Sequence, residues 1–409
     1  MNEIPSVNAF IIFVKNITTM HDYQSIRQQF LINPDITFLN FGSFGACPKP
    51  VFEVYQQIQK EMEWEPVRFL AREAPARLEL ARKALGEFVH AHPDDLVYVL
   101  NPSWAVNAVG RSLKLEAGDE VLTTNIEYGA CDKAWMYFCK QSGAHYIQQP
   151  IHFPVQNQQE IVESVISGIT ARTRLIFISH ITSATGFILP VADICKAAQE
   201  RGIPVFIDGA HTPGHIPLDL KQLNPEYYTG ACHKWMMTPK GSSFLYAKKE
   251  RQAQIDPLII SWGYDAAQPS HSQFLDYHQV QGTRDISAFL SIPAAIQFRA
   301  AHDWEKVSES CKQMVSATAR SFCEQLDMEP HVPIEPEFLG QMFSIPIKTK
   351  EPERLQNTLY EQYQIEIPVM HQNEKNYLRY SVQGFNSPDD LDHLKNALLE
   401  IRNQSGLLD

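Results

Sequence analysis

The chain has 409 residues, 44% of them hydrophobic and 20% charged, with a formal net charge of −12. This is the composition of a globular protein with room for one large domain and a smaller one, and its acidity argues against nucleic-acid binding through a general basic field. Seven cysteines, odd in number and without a Cys-x-x-Cys pair, argue against a disulfide framework or zinc site and for reduced thiols in the cytoplasm.

Taken in order, residues 1–36 read as an N-terminal extension and a first helix. The apolar run 9–14 is too short to span a bilayer and lacks a signal-cleavage pattern, and Met20 is an alternative start. Residues 37–48 predict a short strand and a Gly-rich turn carrying Asn40, Gly42, Ser43 and Gly45. Residues 51–89 predict helix, with a break near Pro66 and a restart at Pro75. Residues 95–100 form the first buried strand. It runs into Asn101-Pro102-Ser103-Trp104, where Ser103 reads either as a plain N-cap or as part of an anion site at a helix N-terminus. The strand 120–124 leads to Tyr128, which fits a packed strand–helix corner. The apolar strand 175–180 ends in a turn containing Ser183. No Gly-x-Gly-x-x-Gly, Walker-type loop, His-Glu-x-x-His or internal repeat is present.

The stretch 202–247 carries the chemistry. An apolar strand delivers Asp208 at its C-terminal end, the ligand-binding edge of an α/β sheet. Lys234, flanked by Gly230, Cys232, His233 and Trp235, has surroundings that desolvate an ammonium and ease its deprotonation. A lysine that can hold an aldehyde covalently, paired with a carboxylate that can keep a pyridine nitrogen protonated, is what pyridoxal 5′-phosphate chemistry requires.

The elements Asp208-Gly-Ala-His211-Thr-Pro213-Gly214 and Cys232-His233-Lys234-Trp235 resemble the class V aminotransferase group of fold-type I pyridoxal phosphate enzymes, and within it the isopenicillin N epimerase-like branch. The resemblance runs from about residue 38 to about residue 386. It implies a large domain over 37–290 with a mostly parallel seven-stranded sheet, and a smaller α+β domain over 291–409 against which the N-terminal segment packs. It implies that Ser103 and the Trp104 backbone contact the cofactor phosphate and that Tyr128 stacks on its ring. Ser183 then touches the cofactor hydroxyl or the substrate carboxylate. Asp208, His211, His233 and Lys234 complete the cofactor site. Arg379 grips the substrate carboxylate, with Asn40 and Ser43 lying across the mouth of the site; taken alone, an arginine on a strand is an exposed side chain. In a homodimer, Thr283 reaches the partner's cofactor phosphate, although it also reads as a helix N-cap ahead of Ile286 and Leu290. The expected substrate is a small amino-acid-type molecule, with no nucleic acid, membrane or metal. Three reactions fit: epimerisation at Cα, for which the acid on the opposite face is not identified (His211 and Tyr128 are candidates, although the resemblance assigns His211 to a hydrogen bond with the cofactor 3-hydroxyl), C–S β-elimination, and transamination. A non-catalytic cofactor-binding protein is the remaining alternative. Residues 364–379 contain no cysteine, which disfavours desulfuration through a protein persulfide.

Overall fold

A computed structural model describes residues 22–404 and 406–408; the apolar run 9–14 and Met20 lie outside them. By its contacts the chain divides into two compact units. One comprises the residues through Gly45, Ala184–Ile188, and those from Arg299 onward; the other comprises Ala46–Ser183 and Leu189–Phe298.

The first unit begins its strands with β1 (Thr37–Phe38). The second unit then supplies β2 (Leu96–Val99), β3 (Glu120–Thr124), β4 (His145–Gln149), β5 (Thr173–Ser179), β6 (Val205–Gly209), β7 (Tyr227–Ala231) and β8 (Ser243–Ala247). They form a seven-stranded sheet in the order β2-β8-β7-β6-β5-β3-β4. Only β8 runs in the direction opposite to the other six strands. The fold is therefore α/β with a mostly parallel sheet. Such a sheet is covered on both faces, and β2, β6, β7 and β8 are buried at every position. Trp135, from the helix Gly129–Ser142, packs edge-on to Phe206 and tilted against Phe177, with Val97 and Leu245 in the same core. Each Val, Ile, Leu or Phe so buried contributes about 1.5–3 kcal/mol relative to exposure.

The first unit continues with β9 (Met342–Ile347), β10 (Ile365–Glu366), β11 (Val369–Gln372) and β12 (Lys375–Ser381). β12 is the centre of an antiparallel sheet between β11 and β9, and β1 pairs parallel with β10. The helix Trp304–Gln325 packs on β9 and against the helix Pro388–Gln404.

Three local expectations are corrected. Ser103 is not the N-cap. The helix Pro102–Ser112 is capped by Asn101, whose side chain accepts the Trp104 N–H at 3.0 Å, while Pro102 has no N–H to satisfy. Thr283 caps nothing either, because the short helix Ser287–Leu290 follows Ile286, and Asp285 Oδ1 takes the Ser287 N–H at 2.7 Å. In the 41–45 segment only Gly45 needs a positive φ (63°). Gly42 is required for room instead: a Cβ there would meet Met342 Sδ at 2.4 Å.

No helix among the described residues is long and apolar enough to cross a membrane, and all seven cysteines are free.

Candidate active site

Strands β2, β3, β5, β6 and β7 point the same way, so their C-terminal ends share one edge of the sheet. Ser103 and Trp104 follow β2, Glu127 and Tyr128 follow β3, and Ser183 lies in the turn after β5. Asp208 is the penultimate residue of β6, and His233 and Lys234 follow β7. An open α/β sheet binds its ligands at such an edge.

At its centre Asp208 is 4% exposed. One carboxylate oxygen accepts the Ala210 N–H at 2.9 Å, and the other accepts the Cys131 thiol at 3.5 Å. Burial raises the Asp208 pKa, while the Ala210 N–H, the charge of Lys234 and the thiol pull it down. The Cys131 thiol is itself pushed well above its ordinary value by burial and then by the Asp208 charge, so it stays a donor. Lys234 is half-buried, with Nζ 3.2 Å from His211 Nε2. His211 Nδ1 accepts the indole N–H of Trp235 at 3.4 Å. His233 binds the Ser242 carbonyl through Nδ1 at 3.0 Å, and burial lowers its pKa to about 4, so it is neutral at physiological pH. The chain bends sharply after the lysine, with Met237 at φ 65°, a backbone region that non-glycine residues occupy only when their surroundings impose it.

This donor set fits pyridoxal phosphate. A carboxylate offers about four lone-pair sites, and a thiol is a weak donor. Asp208 thus keeps acceptor capacity in a buried position where a cationic N–H donor offsets the cost of its charge. Beside it stands an amine held by a histidine. At the start of the Pro102–Ser112 helix the Trp104 N–H is already taken by Asn101, which leaves Ser103 as the side-chain hydroxyl at that terminus.

Sequence reasoning missed Cys131, the Trp235 N–H and Glu127. Glu127 is 2% exposed and accepts from Thr124 Oγ1 at 2.6 Å, Ser179 Oγ at 2.5 Å and Ser179 N at 2.8 Å, tying the end of β3 to β5. Burial nevertheless pushes its carboxyl up to about 8, against those three bonds. A folded-state pKa above the unfolded one means that this contribution to stability is complete below the ordinary 4.5 and is lost as pH rises through about 8. Glu127→Gln should therefore flatten the fall in stability between pH 5 and pH 8 by up to about 3 kcal/mol, measured by urea unfolding. Parallel curves for variant and parent would show instead that Glu127 is ionised throughout.

The remaining candidates divide between the two units. Tyr128 is 46% exposed at the start of the Gly129–Ser142 helix. Thr283 is exposed on a bend behind Gly282 (φ 94°). Arg379, Ser43 and Asn40 come together in the other unit. Arg379 is 1% exposed, and its Nη2 donates to Ser43 Oγ at 2.7 Å. Ser381 Oγ receives the Gly42 N–H at 3.0 Å and donates to the Leu39 carbonyl at 3.1 Å. Asn40 bridges to Ser381 as well. The guanidinium is therefore buried and bonded to Ser43, far away in sequence, rather than exposed on a strand.

Residues 46–394 match the family model described as class-V aminotransferase. An isopenicillin N epimerase of Amycolatopsis lactamdurans is 32% identical over 93% of this chain and 98% of that protein. A probable chloroplastic L-cysteine desulfhydrase of Arabidopsis thaliana is 25% identical over 90% of this chain and 83% of that protein. Among solved structures, a cysteine desulfurase of Escherichia coli superposes with a TM-score of 0.76 at 20% identity, covering 94% of this chain and 99% of that one, a likeness of fold. The chain belongs to the class-V aminotransferase family of enzymes and has the fold-type I architecture of pyridoxal 5′-phosphate enzymes.

Proposed function

We propose that the protein is a cytoplasmic, pyridoxal phosphate-dependent enzyme that epimerises a small amino-acid-type substrate at Cα. The observation that carries the reading is the meeting of Lys234, His211 and buried Asp208 at the carboxyl edge of the sheet. The near full-length similarity to an isopenicillin N epimerase supports the reaction type.

When bound, the cofactor supplies an electron sink for negative charge developing at Cα. Asp208 holds the ring N–H and keeps its proton in place. Ser103 and the Pro102–Ser112 helix terminus bind the phosphate, with the Trp104 N–H joining when it exchanges Asn101 for a phosphate oxygen. Tyr128 covers the ring face, and Ser183 and His233 border it. Lys234 would be the residue that holds the cofactor covalently, and its Nζ, as a free amine, would be the general base placed to take the proton from Cα. Arg379, with Ser43 and Asn40 beside it, receives the substrate carboxylate in a bidentate pairing that a lysine makes poorly. The site is completed in a symmetric homodimer, where Thr283 of one chain donates to the phosphate bound by the other.

A second reading, C–S β-elimination, is favoured by the desulfhydrase relative. Release of sulfur as a protein persulfide is not favoured. Cys47 is partly buried where the other six cysteines are fully buried, and that partial burial pushes its thiol up to about 12, so it is a poor thiolate nucleophile at neutral pH.

The test is incubation of the holoenzyme in D2O with a panel of L-amino acids and thioethers. Deuterium entering Cα with inversion, and neither keto acid nor thiol, is the expected result. Stoichiometric thiol and keto acid would replace epimerisation with elimination. Keto acid alone would mark a transaminase, and no exchange with any substrate would favour a non-catalytic role.

A further inference from the structure

Trp235 follows Lys234 directly and is completely buried. Its indole N–H donates to His211 Nδ1 at 3.4 Å, while the other nitrogen of that imidazole, Nε2, lies 3.2 Å from Lys234 Nζ. An indole nitrogen can only donate, so Nδ1 must present its lone pair. The imidazole proton, assigned from this bonding pattern, then sits on Nε2. The imidazolium, which carries hydrogens on both nitrogens, is excluded while the indole bond stands. Nε2–H in turn directs a hydrogen at Lys234 Nζ. An ammonium has three hydrogens and no acceptor site, so only the neutral amine can complete this contact.

We propose that Trp235 is a positioning residue that acts through His211 to hold Lys234 as the unprotonated amine. That form adds to an aldehyde carbon; one C=N bond forms, and the aldehyde oxygen leaves as water with both amine hydrogens. The proposal rests on Lys234 being the lysine that carries the cofactor.

The surroundings are built to keep the indole in place. The His215 ring stacks on it with centroids 3.9 Å apart and planes at 20°, and His215 Nδ1–H donates to the His211 carbonyl at 3.0 Å. Gly214 (φ 84°) lets the two turns meet, because a Cβ there would lie 2.5 Å from the Trp235 carbonyl oxygen. The 211–215 turn and the 232–235 turn are thus locked together, with indole, imidazole and amine in sequence. Of the titratable groups around Lys234, Asp208 on β6 favours the ammonium through its charge, and the adjacent His233 is neutral, as described above. The indole–imidazole relay therefore opposes the pull of Asp208.

The test uses the full chain freed of cofactor, with two readouts. In 15N-histidine NMR, His211 (identified by its loss in His211→Gln) should show protonated Nε2 and bare Nδ1 across neutral pH. Trp235→Phe keeps an aromatic ring against His215 but removes the donor. His211 can then carry hydrogen on Nδ1 and accept from the lysine ammonium. Attachment of added pyridoxal phosphate, followed by visible absorbance against pH, should shift its midpoint upward by about one unit and slow about tenfold at pH 7, the weight of one ordinary hydrogen bond. A protonated Nδ1 in the parent protein overturns the proposal. So does a folded Trp235→Phe whose midpoint does not move. Should that variant fail to fold, the parent NMR decides alone. Cofactor attachment surviving in Lys234→Ala would instead sink the assignment of Lys234, and the NMR of His211 separates that failure from this one.

Discussion

Lys234→Ala is expected to abolish covalent cofactor attachment and to lower Cα proton exchange by at least about 10³-fold, with the fold unchanged by circular dichroism. Two functions are lost together, the covalent anchor and the general base, and a positioned base alone is worth about 10²–10⁴-fold. The lysine is only half-buried, outside the apolar core, and its loss leaves no cavity of the kind that costs several kcal/mol. A variant that still holds the cofactor through a borohydride-reducible bond contradicts the assignment. The same variant tests the two-chain site. Mixed with Thr283→Val under conditions where subunits exchange, each hybrid dimer pairs an intact Lys234 with the native Thr283 of the other chain at one of its two sites. Activity should rise above that of either variant alone. No recovery in mixtures shown to exchange contradicts the role of Thr283 across the interface.

Asp208→Asn should keep the cofactor bound while slowing Cα exchange by about 10²–10³-fold, the cost of removing a preorganised charge from where it is needed. The substitution preserves shape and leaves its one side-chain oxygen for the Ala210 N–H, while the amide NH2 faces the Cys131 sulfur, a weak acceptor. What it removes is the negative charge that keeps the ring nitrogen protonated, and with it the electron sink. Lys234 also loses its carboxylate neighbour, so the pH at which its amine is free should fall. Exchange at the parent rate with the cofactor bound contradicts this role.

The centre of the sheet was legible because strands such as β6 are buried on both faces and read as apolar runs, here 205–207 leading into Asp208, whereas the edge strand β4 is largely uncovered and gives a weaker signal. Asp208 and Lys234 were legible for a related reason: polar residues at the ends of apolar strands stand out against their context. Arg379 misleads when taken alone. Strand alternation sends an arginine to solvent, yet β12 is the central strand of its sheet and is buried over residues 377–381. Cys131 gives no signal at all, since it lies 77 residues from the carboxylate it touches. The Trp235–His211 contact spans 24 residues and exists only once two turns are packed through Gly214. The cap at Asn101 rather than Ser103 shows the limit of a local rule: both residues can cap, and Pro102 decides between them by taking the first helical position.

The central claim is that Lys234 carries the cofactor, and borohydride reduction of the holoenzyme followed by peptide mapping tests it most directly. The account predicts one stable pyridoxyl adduct, on the peptide containing Lys234. An adduct on Lys240 or on any other lysine, or reduction that leaves every peptide unmodified, would contradict it.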